Sequence, residues 1–231
     1  MTSSGAESDN TLSRRAVLGR IGTAAAVGAA FTAPGFVGSD NAIADNNGQV
    51  AAGPAETTSI ESLTRVEQNG DTLTGYGYLT SVVGLDANEL FVSATRSEGT
   101  ARFTTFGTAT VTGRTILGNV FNVDAEGQLA VYFQSSGGAD FNHPESFATG
   151  TLVALYTVVF QSINSVFAPN QGIFKLAADL RQQQAEEFSL SGDRQRFGRQ
   201  NLRLRMQANG IGMHDAPRAS LTIASNFVVI S

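Results

Sequence analysis

The stretch Thr100–Gln134, TARFTTFGTATVTGRTILGNVFNVDAEGQLAVYFQ, decides the fold class. Its residues alternate between two faces of an extended chain. Apolar or small residues occupy one face and polar residues the other; the first face carries Phe103, Gly107, Ala109 and Val111, the second Arg102, Thr104, Thr108 and Thr110. Gln128–Gln134 repeats the alternation with Leu129, Val131 and Phe133 inward. A period of two in a run rich in Thr, Val and Phe predicts strands with one solvated face.

The same pattern continues on both sides of this stretch. Asn201–Gln207 alternates with Leu202, Leu204 and Met206 inward. Two segments, Leu152–Phe160 and Leu221–Ile230, are apolar on both faces, which predicts burial on both sides by a covering element or by a subunit interface. The segments Thr58–Gln68 and Ala177–Glu187 have helical alternatives, but the clean alternation around the second favours a strand.

Turn signals divide these runs into about ten strands. We expect turns at Asn69-Gly70-Asp71, Gly113-Arg114, Glu126-Gly127 and Ser191-Gly192-Asp193. Gly75 and Gly77 fall inside a strand and indicate bends or bulges. Because so many strands do not form one flat sheet, the sequence predicts an all-β, single antiparallel barrel, with a two-sheet sandwich as the alternative.

The first part of the chain is typical of an export signal. Arg14-Arg15 precedes a weakly apolar run, and Ala42-Ile43-Ala44 offers a small-x-small cleavage site. This order predicts a twin-arginine signal peptide over residues 1–44, cleaved after Ala44, and a secreted protein. We expect a flexible linker over residues 45–58, the barrel domain over 59–231, and no membrane span after cleavage.

Composition excludes several classes of site. The chain has no cysteine, so disulfides and thiolate metal sites are ruled out. Its net charge of −5 argues against a nucleic acid partner, which requires a positive field. We expect no metal and no cofactor.

One segment resembles a known family. Gln171–Leu180, QGIFKLAADL, is similar to the Gly-Ile-Phe strand of allene oxide cyclase-like barrels, which are calycin-type folds related in shape to dirigent proteins. Phe160-Gln161-Ser162-Ile163 leads through Ala168-Pro169-Asn170 into it, as in those barrels. The resemblance implies an eight-stranded, often oligomeric barrel that holds an apolar small molecule and steers a cyclisation by shape. No catalytic residue is carried over.

Four residues are candidates for ligand binding. Arg203 and Arg205 fall two residues apart on one strand face, where their guanidinium groups suit an anionic ligand. His143 and Glu145 lie in a Gly-rich loop beside Asp140. The alternative for both pairs is a solvated surface. Adjacent residues of a strand point to opposite faces, so a general-base pair of His214 with Asp215 requires a turn, which the Gly- and Pro-containing segment around them allows.

These features leave three functions open. The first is an exported barrel that holds a small apolar ligand, with a homo-oligomer as a further option and the twin-arginine translocase as a partner during export. The second is a cyclase-type or isomerase-type enzyme, and the third a structural or surface assembly protein. Buried ionisable groups in the lumen favour the enzyme, an apolar lumen favours ligand carriage, and a lumen packed with phenylalanine favours the structural protein.

Overall fold

The structure, a computed structural model, describes residues 48–169, 171–215 and 218–231, with the side chains of 213–215, 218 and 219 left out. Strands dominate these residues. They are β1 (Gln49–Val50), β2 (Thr58–Asn69), β3 (Thr72–Val82), β4 (Phe103–Leu117), β5 (Val120–Phe133), β6 (Thr151–Ala168), β7 (Gln171–Ala185), β8 (Glu187–Leu190), β9 (Asp193–Phe197), β10 (Arg203–Asp215) and β11 (Arg218–Val229). A one-turn helix, α1 (Ala87–Leu90), and two 3₁₀ turns (Glu98–Thr100 and Pro144–Ala148) lie in the connections.

Eight strands form a closed antiparallel barrel in the order β10-β11-β2-β3-β4-β5-β6-β7. Closure depends on two pairings between distant parts of the chain, β11 with β2 and β10 with β7. The remaining strands form a small separate sheet in the order β1-β9-β8. The predicted all-β barrel is therefore confirmed, and the sandwich is not what the chain forms.

The two ends of the barrel differ. At one end, which we call the hairpin end, β2–β3, β4–β5, β6–β7 and β10–β11 are joined by short connections. At the other, the capped end, the connections are long and a large apolar cluster fills the space between the strands. Phe103, Phe133, Leu204 and Phe227 belong to this cluster, together with Phe188 and Phe197 of the small sheet. The barrel is thus packed solid at the capped end.

The predicted alternation is confirmed in the central strands. Val131 and Phe133 are buried, and so are Leu202 and Leu204. The expectation of two-sided burial is wrong for Leu221–Ile230, where Leu221 and Ile223 are buried but Thr222 between them is exposed. In Leu152–Phe160 it holds only at Val153 and Ala154, since Val159 is 61 % exposed on the outer face.

A loop covers the outer face of β3 instead. Tyr76 and Tyr78 point out of the barrel and are buried against Phe141 and Phe147 of the connection between β5 and β6. The Tyr76 hydroxyl donates a hydrogen bond to Glu67 Oε1 at 2.7 Å. The covering element that the sequence suggested is therefore present, but on a different strand.

Two of the four expected turns are confirmed and two are wrong. Turns separate Asn69 from Thr72 and Leu190 from Asp193. Strand β4 instead runs through Gly113-Arg114, where it forms a bulge, and β5 runs through Glu126-Gly127. A Cβ on Gly127 would overlap the carbonyl oxygen of Thr108 on the neighbouring strand, so glycine here permits close approach of two strands rather than a turn.

Three further expectations have definite outcomes. Both segments with helical alternatives, Thr58–Gln68 and Ala177–Glu187, are largely strand. Residues 48–58 differ from a flexible linker: β1 pairs with β9, and Val50 and Ala51 are buried. The bulge in β3 lies at Thr80 and not at Gly75 or Gly77, since the pairing register with β2 shifts between Leu79 and Ser81.

Within the described ranges, no helix is long and apolar enough to cross a membrane.

A candidate ligand cavity inside the barrel

The half of the barrel nearer the hairpin end encloses a cavity of about 450 Å³. That volume falls in the range of small-molecule sites in proteins. Most lining side chains are apolar, and they come from all eight barrel strands; they include Val66, Leu73, Ile116, Phe121, Val123, Leu129, Val158, Phe160, Phe174, Leu176, Met206, Leu221, Ile223 and Phe227.

Small residues at inward positions create this space. Gly75 of β3 pairs directly with Gly107 of β4, and Ala109 is the next inward residue on β4. On β4 the capped end has the large side chain of Phe103, whereas Gly107 and Ala109 give the cavity wall only a hydrogen atom and a methyl group. An eight-stranded barrel is just wide enough for its side chains to fill, so a run of small residues leaves room for one small ligand.

The cavity opens at the hairpin end. Ile116 lines it and is 57 % exposed to solvent, so the lining reaches the surface there. The bulge at Gly113 sets the residues of this mouth: Thr105, Gly107 and Ala109 face inward before it, and Arg114 and Ile116 after it. Thr112 is the extra residue of this bulge, so the inward-facing residues of β4 have odd numbers before it and even numbers after it.

Arg114 stands at the mouth with its charge paired. Its Nη2 atom donates to Asp71 Oδ1 at 3.2 Å and to the carbonyl oxygen of Gly70 at 3.4 Å. Both partners belong to the hairpin between β2 and β3. Both side chains are partly exposed, so the pair is screened by solvent and contributes little to stability. Arg114 is the one ionisable residue among those that line the cavity in the described chain.

The polar atoms of the wall fall into two groups. Ser62 and Ser225 share a hydrogen bond of 2.6 Å, and Thr64 lies 3.3 Å from Ser62. By contrast, Thr105 Oγ1 and Asn164 Oδ1 are buried and have no hydrogen-bond partner in the structure. These two residues are 2 % and 6 % exposed. An unpartnered buried polar atom is costly, and two of them in one cavity point to a ligand that supplies the missing hydrogen bonds.

The hydroxyl of Tyr156 is also buried and without a hydrogen-bond partner in the structure. It lies on β6 between Leu129 of β5 and Gln182 of β7, in the packed cluster and not in the cavity wall. Burial raises the pKa of its phenol above the ordinary value, so it stays protonated at neutral pH.

The structure places the predicted arginine pair outside the barrel. Arg203 and Arg205 are exposed residues of β10, on the face opposite to Leu204. Arg205 donates to Asp179 Oδ1 on β7 through Nε and Nη2, at 3.1 and 3.0 Å. Neither arginine lines the cavity, so their role in ligand binding stays a prediction about a separate surface.

The predicted His143 and Glu145 pair lies in the connection that covers β3. His143 Nδ1 is 3.4 Å from Glu145 Oε1, and both side chains are largely exposed. Asp140 stabilises its own loop, since its Oδ1 atom accepts a hydrogen bond from the backbone N–H of Asn142 at 2.8 Å. Among the side chains that the structure describes, no three His, Asp or Glu residues cluster in a way that suits a metal ion.

Several sequence predictions fall outside the described residues. Arg14, Arg15 and the cleavage site after Ala44 are in the undescribed first 47 residues. The side chain of His214 is likewise not described. Export therefore stays a prediction.

Sequence reasoning missed the cavity residues Thr105, Arg114 and Asn164. The available signal is the set of glycines inside the strands, which in the sequence equally indicates turns and bends. The chain matches no family model, no curated protein and no solved structure in comparisons with known proteins.

Proposed function

We propose that this protein binds a small, mainly apolar molecule inside its barrel and takes it up through the hairpin end. The observation that carries this proposal is the cavity of about 450 Å³, apolar over most of its wall and open beside Ile116. Burial of apolar ligand surface in such a cavity contributes about 25 cal/mol per Å². The resemblance of Gln171–Leu180 to allene oxide cyclase-like barrels supports the same type of ligand.

The cavity wall favours binding over catalysis. A cyclase or isomerase that works by general acid–base chemistry needs a titratable group at the reacting atoms. Arg114 is the sole ionisable group of the described wall, and its guanidinium group donates a hydrogen bond to Asp71 at the mouth. The structural alternative is disfavoured because the lumen is packed only at the capped end and open at the other.

Export through the twin-arginine route completes the proposed function. It is supported by Arg14-Arg15 and by Ala42-Ile43-Ala44 in the sequence. A folded barrel suits this route, which carries folded proteins, and ligand carriage then takes place outside the cytoplasm. Replacing Arg14-Arg15 by two lysines should retain the protein inside the cell. Mass spectrometry of the exported wild-type protein should give the mass of a chain that starts at Asp45, the residue after Ala44.

The binding proposal is tested by blocking the cavity. In Gly75→Leu a larger side chain enters the lumen; a Cβ at this position meets only the methyl groups of Thr64 and Val66, both at 3.8 Å, so the backbone can stay in place. The matched control is Thr74→Leu, which adds apolar volume to the adjacent, outward position. We expect fluorescence titration with N-phenylnaphthylamine to show binding to the wild type and to Thr74→Leu, and affinity about ten-fold weaker for Gly75→Leu.

Two results contradict the proposal. One is a wild-type protein that does not bind the dye. The other is equal affinity of Gly75→Leu and Thr74→Leu, with both variants folded by circular dichroism, because the dye would then bind outside the cavity.

A further inference from the structure

The two unpartnered polar atoms define the chemistry of the ligand, given that the barrel binds one as proposed above. Thr105 is the third residue of β4, counted from the capped end, and pairs with Gly77 and Val131. Asn164 lies on β6 only four residues before Ala168, and pairs with Phe121 and Phe174 near the hairpins. One atom therefore stands deep in the cavity and the other near its mouth.

The residues beside the two atoms leave both without a hydrogen-bond partner. Asn164 Oδ1 lies over Gly172, where a Cβ would come within 2.5 Å of it. The absence of a side chain on Gly172 thus makes room for the amide. Thr105 is flanked by Gly77, which has no side chain, and by the buried Val131, which has no polar group. Neither wall offers the missing hydrogen bond, so the partner has to come from within the cavity.

The nature of the partner follows from the atoms that need it. Asn164 Oδ1 is an acceptor and requires a donor, whereas Thr105 Oγ1 both donates and accepts. A hydroxyl group satisfies either atom. A carboxylate or ammonium group is disfavoured because an unpaired charge is expensive to bury and the one charge of the wall, Arg114, is already paired with Asp71.

The distance between the two ends gives the shape of the molecule. On β2 the lining runs from Ser62 to Gln68, which is about 20 Å along a strand. With the usual strand tilt this is about 15 Å along the barrel axis. We infer that the ligand is a neutral, elongated apolar molecule with a hydroxyl group at each end, one bonded to Thr105 Oγ1 and the other to Asn164 Oδ1.

The test measures displacement of bound N-phenylnaphthylamine from the full chain. The competitors are α,ω-decanediol, which has a hydroxyl at each end of a straight chain, and decanoate, which has a single charged end. The variants Thr105→Val and Asn164→Leu each remove one anchor and keep the volume similar. Thr110→Val is the matched control, because it makes the same substitution on the exposed outer face of β4.

We expect α,ω-decanediol to compete more strongly than decanoate. Thr105→Val and Asn164→Leu should each weaken the diol about five-fold, while affinity for the dye, which has no hydroxyl, stays the same. Thr110→Val should change neither. Because both substitutions remove an unpartnered atom, they should fold at least as well as the wild type.

Three outcomes overturn the inference, and they are separable from failure of the proposed function. If the dye binds but neither variant weakens the diol, the two atoms are satisfied by water and not by the ligand. If decanoate is the stronger competitor, the ligand is not neutral. If either variant weakens the dye and the diol equally, the substituted atom makes no contact that is specific to a hydroxyl group. Failure of the wild type to bind the dye would instead overturn the proposed function itself.

Discussion

Thr104 and Thr105 provide a sharp test of the hydrogen-bond argument, because they are adjacent, both buried, and chemically identical. The hydroxyl of Thr104 donates to the carbonyl oxygen of Phe147 at 2.9 Å and lies 3.3 Å from Gln134 Nε2. The hydroxyl of Thr105 has no partner. Replacing each by valine, which has nearly the same shape, therefore removes two hydrogen bonds at Thr104 and none at Thr105.

The magnitudes follow from what each substitution leaves behind. Thr104→Val deprives the carbonyl oxygen of Phe147 of its donor, and leaving a buried group unsatisfied costs about 1–3 kcal/mol. Thr105→Val replaces an unpartnered hydroxyl by a methyl group, so the free energy of unfolding should stay the same or rise by about 1 kcal/mol. For a domain of this size, the melting temperature of Thr104→Val should fall by roughly 2–10 °C.

Urea unfolding followed by circular dichroism measures both free energies on ligand-free protein, and differential scanning calorimetry checks the melting temperatures. The comparison requires equal m-values, which show that the folded and unfolded states are unchanged. If Thr105→Val loses as much stability as Thr104→Val, the Thr105 hydroxyl has a protein or water partner in solution. The reasoning that assigns it to a ligand would then be refuted.

Three more outcomes are expected. Gly77→Ala should lower the free energy of unfolding, measured in urea, by about 2 kcal/mol or more, because the alanine Cβ would overlap the carbonyl oxygen of Leu63. Gly75→Ala should change it by less than about 1 kcal/mol, and equal losses for the two variants would contradict the close approach of the strands at Gly77. Burial and the hydrogen bond to Glu67 raise the pKa of Tyr76 from 10.0 to about 12, so the unfolded chain loses this proton first and the free energy of unfolding should fall as pH rises from 10 to 12. Tyr76→Phe should reduce that fall, and a pH profile of unfolding identical to that of the wild type would rule out the shift. Arg205→Ala should leave dye affinity unchanged, since Arg205 lies outside the barrel, and a clear loss in the titration would show that the dye binds there.

The individual strands were predictable because each depends on a local pattern. Inward Leu202 and Leu204 are separated by the exposed Arg203, and inward Val131 and Phe133 by the half-buried Tyr132. Such alternation is visible in a window of six residues. The hairpin at Asn69-Gly70 was predictable for the same reason. The predicted turns at Gly113 and Gly127 are wrong because glycine is the same letter in the sequence whether it makes a turn, a bulge or a close strand contact.

The cavity was not predictable from any local pattern. It exists because Gly75 and Gly107 meet across two strands, and because β10 and β11 return to β7 and β2 and enclose the space in front of them. The bulge in β4 then decides that Arg114 faces the mouth. Each of these facts depends on the register between strands, which is set by the packing of the whole barrel.

The amino-acid sequence alone determined that this chain is an all-β protein with alternating strands, since alternation is a property of neighbouring residues. It also excluded disulfides and thiolate metal sites, because the chain has no cysteine. Only the tertiary structure decided that the sheet closes, that a cavity remains at the hairpin end, and that Thr105 and Asn164 face it without partners. Those properties arise from residues that are far apart in the chain and become neighbours only when the barrel forms.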